Sequence, residues 1–312
     1  MTKELSLIWE TVKESFSEWN KSNAGKDAAS LAYYAVFSIP GLLIIIIWIA
    51  GNFFGEEAIR GEISSQISIL MGREAAQSIQ EMITGALIDR DNVLMKIVGI
   101  FSLVFGATTI FFQLQKALND LWDVEAAPKK AFLKYLTDRA NSLGMILVIG
   151  FLLMVTMVIS SLISLFNEFI TRQLGLETYR LMETVNFVVG FGFVVLVFAF
   201  MFKVLPDVNI QWKNTWMGAI LTAALFTLGK FLLSFYFATF KPTSAFGTAG
   251  TIVLIMMWIN YSCMLIFFGA TFTKVFSLRK GYRFTPSKHA KWNAEKRFET
   301  YLKEHPEAGE NA

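Results

Sequence analysis

Six stretches of this chain are each long and apolar enough to cross the hydrocarbon of a bilayer, near residues 29–51, 93–118, 141–165, 181–204, 215–240 and 249–274. About 30 Å of hydrocarbon takes roughly 20 helical residues. In lipid a spanning segment must satisfy its own backbone, which a helix does without help. The composition agrees. Of 312 residues, 54% are hydrophobic and 17% charged, with thirty Phe, where an ordinary soluble domain runs about 45–50% apolar and roughly 25% charged. A water-soluble core of this length has no room for so much apolar surface. The expected fold class is all-α. It is a polytopic membrane protein with six transmembrane helices over 29–276, an amphipathic helix in 1–28 and a charged tail over 277–312.

Lys and Arg set the expected orientation. With six spans both termini share a side, and that side carries nineteen of them against six opposite, or ten against six without the tail. The positive-inside rule then places both termini in the cytoplasm. The first 28 residues are charged throughout, so no cleavable signal is expected. They put Leu5, Ile8, Trp9, Val12, Phe16 and Trp19 on one helical face. That face suits a helix lying in the membrane interface or one packed on cytoplasmic loops. The external segment 52–92 repeats Ile59, Ile63, Ile67 and Leu70, then Ile79, Met82, Ile83 and Leu87, which predicts an amphipathic helical hairpin. Pro40–Gly41 in "FSIPGLL" predicts a kink in the first span. Beyond Tyr282 the tail is charged and is expected to be mobile or to form a short surface helix with Trp292, Phe298 and Leu302.

Absences narrow the chemistry. The single Cys263 excludes an internal disulfide and a Cys-based metal site. Both histidines, His289 and His305, lie in the tail, and no Asp or Glu lies in the central part of any expected span. That argues against proton or sodium coupling through side chains. No glycine loop of the phosphate-binding kind is present, and no serine has a His or carboxylate at reachable depth. The expectation is no enzyme, no metal and no cofactor. A net charge of +3 is too small to point to nucleic acid.

Against that background "LFTLGKFLLSFY" carries Lys230, about 22 Å along the fifth span from Thr215 at 1.5 Å per residue. Asn260, Tyr261 and Ser262 of "WINYS" reach a similar depth on the sixth span and can solvate an ammonium without neutralising it. A cation so placed suits an anion such as a lipid phosphate or carboxylate. Its structural alternative is to snorkel, or to bond backbone carbonyls and serve packing alone. A second polar group, Gln113, Gln115, Lys116, Asn119 and Asp120, stands at an inner end and is expected to cap and anchor the second helix. Small residues, Gly218 and Thr222 or Ser160 and Ser164, are spaced for close helix contact. Such faces serve the bundle interior or a dimer seam equally.

Four segments resemble the YihY/virulence factor BrkB family of bacterial membrane proteins. They are "DAASLAYYAVFSIPGLL", "FFQLQKALNDLWDVE", "VLPDVNIQWKNTWMGAILTAALFTLGKFLLSFY" and "SAFGTAGTIVLIMMWINYSCMLIFFGATFTKVF". The resemblance covers nearly all of 27–276 and implies a six-helix inner-membrane protein with cytoplasmic termini. It carries the pair Gly229–Lys230, the turn Leu205–Pro206–Asp207, and the run around Gln113, Asn119 and Trp122. Thr271 stands in "GATF" where the family pattern has glutamate, and the first-span proline comes one position early. Family members have carried a ribonuclease label, which the missing acidic cluster and missing catalytic histidine argue against. The expected function is to move or bind an anionic amphiphile, a phospholipid or envelope lipid precursor, with membrane lipids as partners. The alternative is a membrane scaffold that recruits envelope proteins through its tail and external helices.

Overall fold

The computed structural model describes residues 2–71, 76–77, 80, 109–127, 177–240 and 248–294. They are mostly helical. Helix α1 runs Thr2–Lys21, α2 Ala24–Phe54 and α3 Glu56–Met71. Residues 109–121 form α4, followed by strand β1 at Val124–Ala126. Then come α5 (Glu177–Val204), β2 (Val208–Asn209), α6 (Trp212–Phe240), α7 (Thr248–Arg279), β3 (Thr285–Pro286) and β4 (Ala290–Trp292).

Among the described residues three helices are long and apolar enough to cross a membrane, over Phe187–Val204, Trp212–Leu233 and Ile255–Arg279. They coincide with the fourth, fifth and sixth expected spans. The first expected span falls within α2, whose helix continues through Pro40 and Gly41 to Gly55. Gly55 takes a positive φ of 87°, the left-handed region that favours glycine, and separates α2 from α3. Most of 93–118, all of 141–165 with Ser160 and Ser164, and the second half of the external hairpin lie outside the described residues. In the first half, Ile59 is buried as its spacing predicts.

Helix α7 is the hub, packing against α1, α2 and α6, while α6 also packs on α5. Helix α2 offers a stripe of small residues at helical spacing, with Ala24, Ala28, Leu31 and Ala35 all buried. Small residues let backbones approach where no hydrophobic drive between helices exists. The opposite sign appears outside: on α6, Trp216, Ile220, Leu228, Phe231, Leu232 and Phe235 are exposed, Phe235 at 72%. A run of large apolar side chains on the surface of a helix fits acyl chains as its solvent.

Between α6 and α7 the packing is reciprocal. A Cβ added at Gly218 would overlap Thr273 Oγ1, and one added at Gly269 would overlap Thr222 Oγ1. Each threonine hydroxyl donates within its own helix, Thr222 to the Gly218 carbonyl at 2.7 Å and Thr273 to the Gly269 carbonyl at 2.8 Å. Neither side chain leaves a donor unmet in the seam. The lock gives the two helices an antiparallel register, 218 beside 273 and 222 beside 269. Sequence spacing predicted the close face on α6, and its partner on α7 is now visible.

The all-α expectation needs one correction. β1 pairs antiparallel with β4, Val124 opposite Trp292, and β2 pairs antiparallel with β3, Val208 opposite Pro286. The chain beyond Tyr282 is therefore folded as far as 292 rather than a free tail. Its turn is set by Gly281, whose φ is 74°. The Tyr282 N–H donates to the Ser277 carbonyl and the Gly281 N–H to the Leu278 carbonyl, both at 2.9 Å, which ends α7 in a Schellman motif. The returning segment then has backbone donors to offer the exits of α4 and α5.

Candidate functional site

Two polar regions stand out, and they differ in how well the protein satisfies them. At one end of the bundle, which we call the clasped end, Asn119 is buried and makes two bonds to one residue. Its Nδ2 donates to Asp207 Oδ2 at 2.8 Å, and its Oδ1 accepts from the Asp207 N–H at 2.7 Å. Lys274 on α7 donates to the Leu121 carbonyl at 2.9 Å and to Asp123 Oδ2 at 2.5 Å. Asp123 follows α4 with a φ of 54°, a left-handed turn residue, and Asp tolerates that region better than most side chains. The tail ribbon covers these groups. Backbone N–H groups of Ser287, Asn293 and Ala127 donate to the carbonyls of Asp207, Asp123 and His289, each at 2.9 Å. Trp122, almost wholly buried, meets Phe284 edge-on at 4.8 Å, and Phe284 meets Trp292 at 5.7 Å. Lys203 donates to the Ile210 carbonyl and lies over the Trp212 ring at 5.8 Å.

The sequence-level cluster at this end divides accordingly. Asn119 carries the contact, Lys116 is exposed, and Gln113, Gln115 and Asp120 are half-buried. The expected anchoring of α4 is present, but its partners are Asp207, Asp123 and Lys274 rather than neighbours along α4. Sequence reasoning did not name these three as a group. The available signal was that Asn119, Trp122 and Asp207 all belong to the segments that resemble the family.

The second region lies along α6. Buried positions Ala219, Ala223 and Gly229 mark the face turned to the bundle. Lys230 falls on the same stripe, four residues beyond Phe226, and is half-buried. Gly229 allows a close approach, because any Cβ there would overlap the Tyr261 hydroxyl. The α6–α7 register thus extends to 229 beside 261, and Lys230 stands level with Asn260 and Tyr261. Among the described residues Lys230 makes no hydrogen bond or ion pair. One turn toward the clasped end, the Phe226 ring meets Phe198 at 5.7 Å and Trp258 at 5.9 Å, both edge-on. Phe226 is one turn nearer the clasp than Lys230, whereas Trp258 precedes Asn260 on α7 and lies slightly beyond it, so the three rings pack beside Lys230.

Of the expected companions, Asn260 and Tyr261 are half-buried at the right level. Ser262 differs: its hydroxyl donates to the Trp258 carbonyl at 2.9 Å, so its proton is engaged within α7. Thr271, the residue in place of the family glutamate, is buried and donates to the Phe267 carbonyl at 2.9 Å. It adds no charge.

Residues 15–294 match the family described as virulence factor BrkB. This chain belongs to that family. It is 28% identical over 272 residues to "UPF0761 membrane protein NTHI0384" of Haemophilus influenzae (strain 86-028NP), an alignment covering 85% of this chain and 91% of that protein. It is 26% identical over 268 residues to "UPF0761 membrane protein MS0032" of Mannheimia succiniciproducens, covering 83% and 87%. A "UPF0761 membrane protein" of Psychromonas ingrahamii is 26% identical over 261 residues, covering 82% and 84%. No solved structure matches the chain. Family and apolar helices together make this an integral membrane protein.

Proposed function

We propose that the protein is a six-span inner-membrane protein, with both termini in the cytoplasm, that binds and moves an anionic amphiphile such as a phospholipid or an envelope lipid precursor. The observation that carries this reading is Lys230, an ammonium on the bundle-facing stripe of a spanning helix with no partner among the described residues. An ionisable side chain within a span is a functional-site hypothesis by default. Placing a lysine near a helix centre costs about 2.5–3.5 kcal/mol on insertion scales. A phosphate or carboxylate head group offsets that cost through a short charge-assisted hydrogen bond. Asn260 and Tyr261, level with Lys230, supply uncharged donors beside it.

The charge asymmetry assigns the clasped end to the cytoplasm and Lys230 to the outer half of the bundle. The Phe198–Phe226–Trp258 cluster packs beside the site, and the position of Lys230 in the outer half supports access from the periplasm or the outer leaflet. The ribbon over the clasp uses backbone and side chains of the tail as far as Trp292, which leaves the scaffold alternative the segment beyond it and the external helices.

The test is a Lys230→Leu variant, purified and reconstituted in liposomes beside the native protein. Translocation of fluorescent phosphatidylglycerol by the native protein, lost in a variant of unchanged melting temperature, is the expected result. Equal transport by both removes the head-group role from Lys230. No transport of any tested lipid by the native protein, together with stable capture of envelope proteins, favours the scaffold.

A further inference from the structure

Helix α1 presents three different surfaces. One is turned to the protein: Thr11 and Ser15 are fully buried, and their hydroxyls donate to the Leu7 and Thr11 carbonyls at 2.6 Å each. α1 packs along α7. A second surface is apolar and open, with Trp9 70% and Phe16 57% exposed. At about 100° per residue, Trp9 and Phe16 lie within roughly 20° of each other and about 130° from the Thr11–Ser15 stripe. A third surface is polar and exposed, formed by Glu10, Glu14, Ser17 and Lys21.

For a helix packed on a protein in water, the apolar face turns inward. In α1 the small hydroxylated residues Thr11 and Ser15 face the protein together with Trp19, while Trp9 and Phe16 face away. That arrangement is favourable when the medium outside is itself apolar.

We propose that α1 is a steeply tilted helix at the membrane boundary whose Trp9–Phe16 face is turned to the lipid of the leaflet at the clasped end. Two contacts set its tilt. Arg279 donates from Nε to Glu14 Oε2 at 2.6 Å and from Nη1 to Glu10 Oε2 at 2.8 Å. Trp19 meets Phe268 edge-on at 6.2 Å. Phe268 and Arg279 are separated by about 16 Å along α7 at 1.5 Å per residue. The Trp19 end of α1 therefore reaches farther along the span than the Glu10 end, so Phe16 sits deeper than Trp9. Both glutamates nearest α7 are paired with one guanidinium, which lowers the cost of holding carboxylates beside hydrocarbon. Large apolar side chains are exposed on α6 as well, at Trp216, Ile220 and Leu228. Polar face to water, apolar face to lipid and small face to protein is the pattern of an interfacial helix. This placement holds whatever the protein moves.

The test uses the full chain with Cys263→Ala, carrying nitroxide labels at Phe16→Cys, Ser17→Cys or Trp9→Cys, in liposomes of phosphatidylethanolamine and phosphatidylglycerol. Positions 16 and 17 are neighbours about 100° apart round the helix. The label at 16 is expected to be relaxed by oxygen, that at 17 by a water-soluble nickel chelate, with a ratio several-fold higher at 16. The label at 9 should resemble 16 at shallower depth, and it carries the test if Phe16→Cys does not fold. Equal nickel access at the apolar positions and at 17 overturns the proposal. So does shielding of the apolar positions from both reagents, which a second copy or another protein on that face would produce.

Discussion

At the clasped end Asn119, Asp207, Asp123 and Lys274 come from three separate segments and complete one another. In the far half of α6, Lys230 finds no such partner among the described residues. Both regions place charge in a mostly apolar bundle, and the difference in pairing separates their roles. A polar group whose bonds are met inside the protein holds the fold together. One left unmet at membrane depth carries a standing free-energy cost, which the anion of the proposed function would offset. The contrast also suggests which end is rigid. The clasp joins two β pairings to a Schellman turn and a buried tryptophan, whereas Lys230 stands beside aromatic rings with Asn260 and Tyr261 at its level.

The sharpest way to break that contrast is Asn119→Leu, which removes the two bonds between Asn119 and Asp207 and should cost about 3 kcal/mol of stability in detergent, read by thermal unfolding. Lys274→Met leaves Asp123 and the Leu121 carbonyl short of a donor and should cost about 2 kcal/mol in the same assay. Gly269→Ala forces the α6–α7 seam apart, with an expected loss of about 1–2 kcal/mol. Thr222→Ala in the same chain should recover part of it, because the Thr222 hydroxyl is the group the new Cβ meets. Lys230→Leu should behave oppositely, changing stability by no more than about 1 kcal/mol while abolishing lipid transport. A large destabilisation there would show that the ammonium is a structural group after all. Smallest of all, Lys291→Gln removes only an exposed ribbon pair to Glu125, N to O 2.9 Å, and should shift stability by about 0.5 kcal/mol or less.

Much of the fold was legible because lipid enforces long apolar segments and shows them as uninterrupted runs. The extents of α5, α6 and α7 follow from that alone, as does the close face at Gly218 and Thr222. Less local features were not legible. Asn119 and Asp207 are 88 positions apart, and nothing in either neighbourhood names the other. The ribbon was hidden because its strands are two or three residues long, too short for any periodic signal, and lie in a segment whose charges suggest a mobile tail. In α1 the amphipathic pattern was clear, but the contact with the protein uses Thr11 and Ser15 beside Trp19 and leaves Trp9 and Phe16 exposed.

From the sequence by itself came the medium this chain folds in, the positions of its spanning helices, and a lysine where few chains place one. Those are properties of single segments, set by the free energy of moving side chains between water and lipid. Only the tertiary structure decided which polar residues meet, that the returning tail closes one end, and that Tyr261 seats on Gly229 beside Lys230. Those depend on helix register and chain return, which bring together groups that local transfer energies cannot pair.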